Sequence, residues 1–281
     1  MKVAICAVVK NEGPYLREWM AYHRAIGFDH FFVCNNESED DTGEILERAA
    51  EAGICTSYDW PNQEGVRTQF AAYKHLLNKH RTDVDWMFFA DPDEFLLLKK
   101  HDTIKGFLAD YPDAAAIGVN WRIFGDSGET HYRPALLMER FTRAAPEQFG
   151  PNHLIKTIAR TGDLITPGAH THQLREGAIF IDPERRPLKP YPAGRQDSVT
   201  HSIAQLNHYY TKTLEEYGWK KARGRVDLWK GHQDYVPQTD DLFNFHNRND
   251  EPDLAILQFR DAMRSAALEI FGRPLFGEET P

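Results

Sequence analysis

The stretch Trp86-Met87-Phe88-Phe89-Ala90-Asp91-Pro92-Asp93-Glu94-Phe95 decides how this chain is read. Five apolar residues in a row predict a short strand buried on both faces. Three carboxylates within four positions then crowd its C-terminal end. Like charges this close repel unless a cation neutralises them or one carboxyl keeps its proton. In an open α/β sheet, ligands sit just beyond the carboxyl ends of the strands. The spacing therefore points to a hard divalent cation held by Asp91 and Asp93, with Pro92 stiffening the backbone between them. A strand followed by a solvated acidic turn would read the same way.

Upstream, strands and helices alternate. Val3 to Val9 predicts a central strand, with Lys10-Asn11-Glu12-Gly13-Pro14 as its exit loop. Leu16, Trp19, Met20 and His23 follow the spacing of a helix face, and Gly27 suits its end. His30 to Cys34 is a second strand, followed by a polar loop and a helix that begins at Asp41 and ends at Gly53. Ile54 to Tyr58 is a third strand, and a helix from about Gln63 to Lys79 points Phe70, Tyr73 and Leu77 inward. This is the pattern of a parallel sheet with helices on its faces. Downstream, Ile104 to Tyr111 reads as a short helix. Ala115 to Phe124, Leu136 to Thr142, His153 to Ala159 and Leu206 to Tyr210 read as strands. Thr213 to Trp229 reads as a helix, and Ile256 to Ile270 as a final one, capped by Gly272. Pro183 to Ser198, with four prolines, predicts a long surface loop or mobile lid.

The 281 residues are 41% hydrophobic and 12% aromatic, a globular composition, and carry a net charge of -9. An acidic chain without a long basic run is poorly suited to non-specific nucleic-acid binding or an anionic membrane surface. Cys6, Cys34 and Cys55 lack zinc-type spacing, which suits a reducing compartment. No window approaches the apolar length of a membrane helix, and the expectation is a cytoplasmic protein.

Several groups could carry chemistry. His170, His172 and His208 are candidates to complete a two-aspartate metal site, since manganese accepts oxygen and imidazole ligands. Lys10 to Glu12 leaves the first strand where a nucleotide is read. Gly125-Asp126-Ser127-Gly128-Glu129 follows a strand, so Asp126 or Glu129 could act as a base; a hairpin turn is the plainer reading. Lys212 and Arg223-Gly224-Arg225 offer positive charge for a leaving diphosphate, or else a solvated helix face. Trp219, Trp229 and Tyr235 could stack sugar rings or belong to the core. Neither a Gly-rich dinucleotide fingerprint nor a P-loop is present.

Together these residues resemble a known family. Val9-Lys10-Asn11-Glu12, Leu16-Arg17-Glu18-Trp19, His23 and Gly27-Phe28 resemble the opening of family 2-like glycosyltransferases. The likeness is strongest to the bacterial group related to the family 92 (DUF23-type) enzymes. Asn35-Asn36, Ser38 and Asp41-Thr42 match its donor-side loop, and Trp86 through Asp91-Pro92-Asp93-Glu94-Phe95 its D-x-D region. Phe124-Gly125, Glu139-Arg140-Phe141, Lys156, His208-Tyr209, Lys212 and Arg223-Gly224 are also similar. The resemblance implies an α/β GT-A fold, nucleotide-diphospho-sugar transferase-like, with a mostly parallel central sheet flanked by helices. It implies one catalytic domain over residues 1–281: a donor-nucleotide half in 1–100, an acceptor and catalytic half in 101–250, and a C-terminal helix in 251–271. The implied activity is a metal-dependent, inverting transfer from a nucleotide-sugar, a UDP-sugar foremost, to a glycan or glycolipid precursor. Asp91 and Asp93 would hold Mn2+ or Mg2+, with His208, His172 or His170 as a third contact. Val9, Lys10, Asn11, Glu12, Asn35, Asn36, Arg67, Lys212 and Arg223 would contact the donor. The base would be Asp126, with Glu129 and Glu139 behind it, because the Glu-Asp pair that often supplies it in family 2 is absent. A nucleotidyltransferase is a competing reading, disfavoured by the single glycine after the first strand; a non-catalytic nucleotide- or sugar-binding module is another.

Overall fold

The computed structural model describes residues 1–224 and 237–276. Its elements, in chain order, are β1 (Val3–Val9), α1 (Gly13–Ala25), β2 (His30–Asn35), α2 (Thr42–Glu51), β3 (Cys55–Asp59), α3 (Thr68–His80), β4 (Trp86–Phe89) and β5 (Glu94–Leu98). Then come α4 (Ile104–Ala109), β6 (Ala116–Ile123), α5 (Leu137–Arg140), β7 (Arg143–Ala144), β8 (Ile155–Arg160), β9 (Leu164–Thr166), β10 (Gln173–Leu174) and β11 (Phe180–Ile181). The rest are β12 (Ala204–His208), α6 (Leu214–Arg223), α7 (Asp240–His246), β13 (Glu251–Pro252) and α8 (Arg260–Phe271).

The main sheet runs β3-β2-β1-β4-β8-β6-β12-β5, with β11 beside β6. The first four strands are parallel, as the alternation of strand and helix predicts. Beyond them the sheet is mixed: β8 lies antiparallel between β4 and β6, β12 is parallel to β6, and β5 is antiparallel to β12. The fold is α/β with a parallel N-terminal half.

The inner strands β1 and β4 are covered on both faces and apolar throughout, whereas the edge strand β3, Cys55-Thr56-Ser57-Tyr58-Asp59, is polar and half exposed. Along β1, Val3, Ile5, Ala7 and Val9 enter the core shared with α1, α2 and α8. Ala4, Cys6 and Val8 face the opposite core under α3. Trp86, Phe88 and Ala90 join the first core and Met87 and Phe89 the second. The three cysteines are free and buried.

Two local readings are corrected. Leu136 to Thr142 is not a strand. The buried carboxylate of Glu18 accepts the N–H groups of Leu137 and Met138, at 2.6 and 3.1 Å, and so satisfies the first turn of α5. Helix α3 starts at Thr68, and Phe70 on its first turn is 37% exposed rather than inward. Pro183 to Ser198 is a largely exposed loop, as expected, anchored where the Leu188 N–H reaches the Phe180 carbonyl, the Gln196 N–H the His153 carbonyl and the Ile155 N–H the Gly194 carbonyl. Among the described residues, no helix is long and apolar enough to cross a membrane.

Candidate active site

The turn after β4 presents the two aspartates. Pro92 stands second in a four-residue turn closed by the Glu94 N–H to the Asp91 carbonyl, 3.0 Å, and by the Asp91 N–H to Glu94 Oε2, 2.9 Å. Asp91 accepts from Gln69 Nε2 at 3.1 Å and from Lys156 Nζ at 2.8 Å. Lys156, on β8, also lies 3.3 Å from Glu94. Burial, only partly offset by Lys156, pushes the Glu94 carboxyl up to about 8. Asp93 pairs with Lys220 of α6 at 2.7 Å, with Lys212 at 3.9 Å and with His208 Nε2 at 3.6 Å. Burial opposes its ionisation, but Lys220, His208 and Lys212 outweigh that and hold its carboxyl well below the usual range.

These groups open onto a cavity of about 220 Å³ at the carboxyl ends of β1 and β4. Lys10, Glu12, Gln69, Trp121, His170 and Arg223 also line it. Arg223 reaches back from α6 to Glu12 at 2.5 Å and to the Lys10 carbonyl at 2.8 Å, so α6 and the β1 exit loop close one side together. Two side-chain-bearing residues here adopt positive φ, Asn11 at 49° and Lys212 at 53°. Such conformations cost about 1–3 kcal/mol and persist where the surroundings impose them.

Two cavities flank the central one, on opposite faces of the sheet. One, of about 660 Å³, lies between the start of α1 and α6; it shares Lys10, Glu12, Lys220 and Arg223 with the centre and adds Lys212 and the exposed Trp219. The other, of about 210 Å³, lies by the start of α3; it shares Gln69, Ala169 and His170 and adds Arg67.

The histidines separate by their ring bonds. His172 spends both nitrogens, Nδ1 accepting from the Gly168 N–H at 3.1 Å and Nε2 donating to the Thr157 carbonyl at 3.1 Å, so it has no lone pair for a metal. His170 donates Nδ1–H to the Ile155 carbonyl at 2.9 Å, which leaves the lone pair on Nε2. Burial, with Lys156 nearby, pushes it down to about 4, so the ring is neutral at physiological pH. His208 Nε2 faces Asp93 across a gap too long for a hydrogen bond, and its Nδ1 is buried without a partner among the described residues.

Other expected residues stand elsewhere. The Val9 side chain faces the α1 core, and Val8 lines the cavity instead. Asn35 accepts from the Ser38 N–H and Asn36 donates to the Trp60 carbonyl, so both brace loops and line none of the three cavities. Asp126, Glu129 and Glu139 line none of them either. Asp126 accepts from Gly128 N–H and from the amides of Asn247 and Asn249. Glu129 pairs with Arg133 and Arg140, and Glu139 with Arg264 and Arg260. Sequence reading missed Lys220 and Gln69, whose partners lie far away along the chain. Arg225, Trp229, His232 and Tyr235 lie outside the described residues. Among the described residues, no three His, Cys, Asp or Glu side chains converge in a way that could hold a metal.

The profile of glycosyltransferase family 92 matches residues 2–249. A family 92 protein of Oryza sativa subsp. japonica is 27% identical over 258 residues, covering 90% of this chain and 39% of that protein. A galactan β-1,4-galactosyltransferase of Arabidopsis thaliana is 33% identical over 100 residues, 33% of this chain and 20% of the relative. The chain thus spans about two fifths or less of these relatives. The crystal structure of S. aureus TarS 1-349 in complex with UDP-GlcNAc aligns at a TM-score of 0.38 and 15% identity, over 60% of this chain and 49% of that one. With its profile matched across most of its length, the chain belongs to glycosyltransferase family 92.

Proposed function

We propose that this chain transfers a sugar, with inversion, from a nucleotide-diphospho-sugar of the GT-A type to a glycan acceptor. The observation that carries this reading is Asp91 and Asp93 at the end of β4, sharing one cavity with Lys156, Lys220 and Arg223, while Lys212 stands 3.9 Å from Asp93 on the wall of the cavity beside it. Fixed cations on one side of a buried acidic turn suit a diphosphate that gains charge as it leaves. Lys10 and Arg223 border the same side, where a nucleotide beyond the ends of β1 and β4 would lie.

The donor set also suits a divalent ion. Asp93 and His208 face each other without bonding, and such ions commonly take one or two protein ligands and complete their shell from substrate phosphates. Asp93 and His208 would hold it, and the bound ion would act as a Lewis acid on the leaving group. Lys220 must then let go of Asp93 and turn to the diphosphate. Asp91, held by Gln69 and Lys156, stays beside the donor sugar.

Transfer passes through an oxocarbenium-like state and needs a base for the acceptor hydroxyl. We assign that role to His170, whose lone pair sits on Nε2 at the junction of two cavities. The relatives named galactan β-1,4-galactosyltransferase make UDP-galactose and short β-1,4-galactans the first pair to try. Product analysis with Mn2+, with chelator and with Asp93→Asn tests the reading. Product that forms equally in all three would refute the metal role, and no UDP binding under any condition would refute the reading as a whole.

A further inference from the structure

The cavity beside α3 has features that the donor reading leaves unused. It is walled by the loop Gly168 to Thr171, the tip Tyr191-Pro192 and the first turn of α3. Phe70 and Tyr191, 37% and 38% exposed, leave their rings open to water at a hollow rather than on a convex surface. Framed this way, exposed rings mark a ligand site. The hydroxyl of Thr171, a residue 2% exposed, lies buried without a hydrogen-bond partner on the same wall.

The frame is built to hold these groups in place. A Cβ on Gly168 would come within 3.0 Å of the Tyr191 ring, and one on Gly194 within 2.8 Å of His170. Glycine at both positions lets the segment 183–198 press its ring and backbone against the 168–171 loop.

We propose that this cavity is the acceptor subsite, holding the pyranose ring whose hydroxyl attacks the donor. The proposal rests on the transferase reading above. Direction decides between acceptor and donor. Inverting displacement needs the nucleophile opposite the departing diphosphate. Lys212, Lys220 and Arg223 lie on the α1 and α6 side, whereas this cavity opens from the α3 side and has Arg67 as the one lysine or arginine among its described wall residues. Among the described residues, the two flanking cavities share none and meet the centre through different groups. His170 stands where the second one enters, within reach of a hydroxyl arriving from it. Rings stack on the apolar C–H face of a sugar, and Arg67, Gln69 and His170 add polar groups to the same wall.

Saturation-transfer NMR on the full chain, with UDP and Mn2+ present, tests this. The probes are methyl β-D-galactopyranoside, methyl β-D-glucopyranoside and methyl α-D-mannopyranoside. At least one should show transfer to its ring protons. Tyr191→Ala and Phe70→Ala should each weaken it about three- to tenfold, while Tyr191→Phe keeps it and all three variants keep the wild-type melting curve. No signal from any probe, or a signal indifferent to both alanine variants, would overturn the proposal. So would weaker UDP binding by Tyr191→Ala in calorimetry, which would give the cavity to the nucleotide base. Failure of UDP to bind the wild type would instead remove the transferase reading, whatever the glycosides do.

Discussion

Lys156 Nζ stands 2.8 Å from Asp91 Oδ2 and 3.3 Å from Glu94 Oε2, with its own side chain 2% exposed. One buried cation thus separates two carboxylates of the acidic turn. Replacing it leaves them facing each other without compensation. Lys156→Met should destabilise the fold by about 3–5 kcal/mol, the cost of breaking a buried ion pair from one side. Urea titration would check this through the midpoint; a wild-type midpoint would mean that the lysine is not structural.

Lys220 Nζ stands 2.7 Å from Asp93 Oδ2. On the metal reading it competes with the cation. Lys220→Met should therefore bind Mn2+ more tightly without UDP, yet bind UDP less tightly with it. Counting free Mn2+ by electron paramagnetic resonance reads the first effect and calorimetry the second. Weakening of both would mean that the lysine assists the metal instead.

Glu18 is 1% exposed, and burial pushes its carboxyl up to about 7 from an ordinary value near 4.5, although two backbone N–H bonds oppose the shift. The folded chain therefore holds a proton that the unfolded chain has already lost. Its contribution, up to about 3 kcal/mol, is fully present below about pH 4.5 and gone above about pH 7. Glu18→Gln should flatten this part of the stability profile, measured by urea unfolding at stepped pH. An unchanged slope would assign it to other groups.

Arg140 makes a bidentate pair with Glu216, at 2.9 and 2.7 Å, and both side chains are fully buried. Tyr15 donates to the same carboxylate at 2.9 Å, joining α5, α6 and α1. Arg140→Leu should cost about 3–5 kcal/mol. It should also weaken UDP binding, because α6 carries Lys220 and Arg223. Stability loss with donor affinity intact would show that α6 holds its position without this pair.

Asp126 accepts from Asn247 at 2.7 Å and Asn249 at 3.0 Å, which pins its loop to the segment before β13. Asp126→Ala should lower stability by about 1–3 kcal/mol. Turnover should not fall by the roughly 10²–10⁴-fold expected for a missing base, whereas His170→Ala should show that loss with donor affinity kept. The reverse pattern in steady-state kinetics would return the role to Asp126.

The parallel half was legible because β1 and β4 are apolar on both faces and its helices repeat with the right period. The acidic turn was legible because Pro92 and its carboxylates are adjacent in sequence. What surrounds them was not. Lys220 meets Asp93 across 127 positions and Lys156 meets Asp91 across 65, distances over which no local pattern speaks. Segment 136–142 misled because its apolar residues fit a strand, while the group that caps its helix, Glu18, comes from α1. The three carboxylates chosen as bases looked available only because their arginine and asparagine partners are invisible to spacing.

The order of the sheet has a consequence for synthesis. Strands β4 and β5 are neighbours in sequence, joined by Ala90 to Asp93, yet β8, β6 and β12 stand between them. As the chain leaves the ribosome, the acidic turn emerges long before β8, β12 and α6, which bring Lys156, His208 and Lys220. A nascent chain that ends near residue 100 exposes one unpaired edge of β4 and all of β5. Pairings across such separations are slow to form. The first hundred residues therefore carry the signature of the site, while the residues that complete the pocket arrive with β8, β12 and α6.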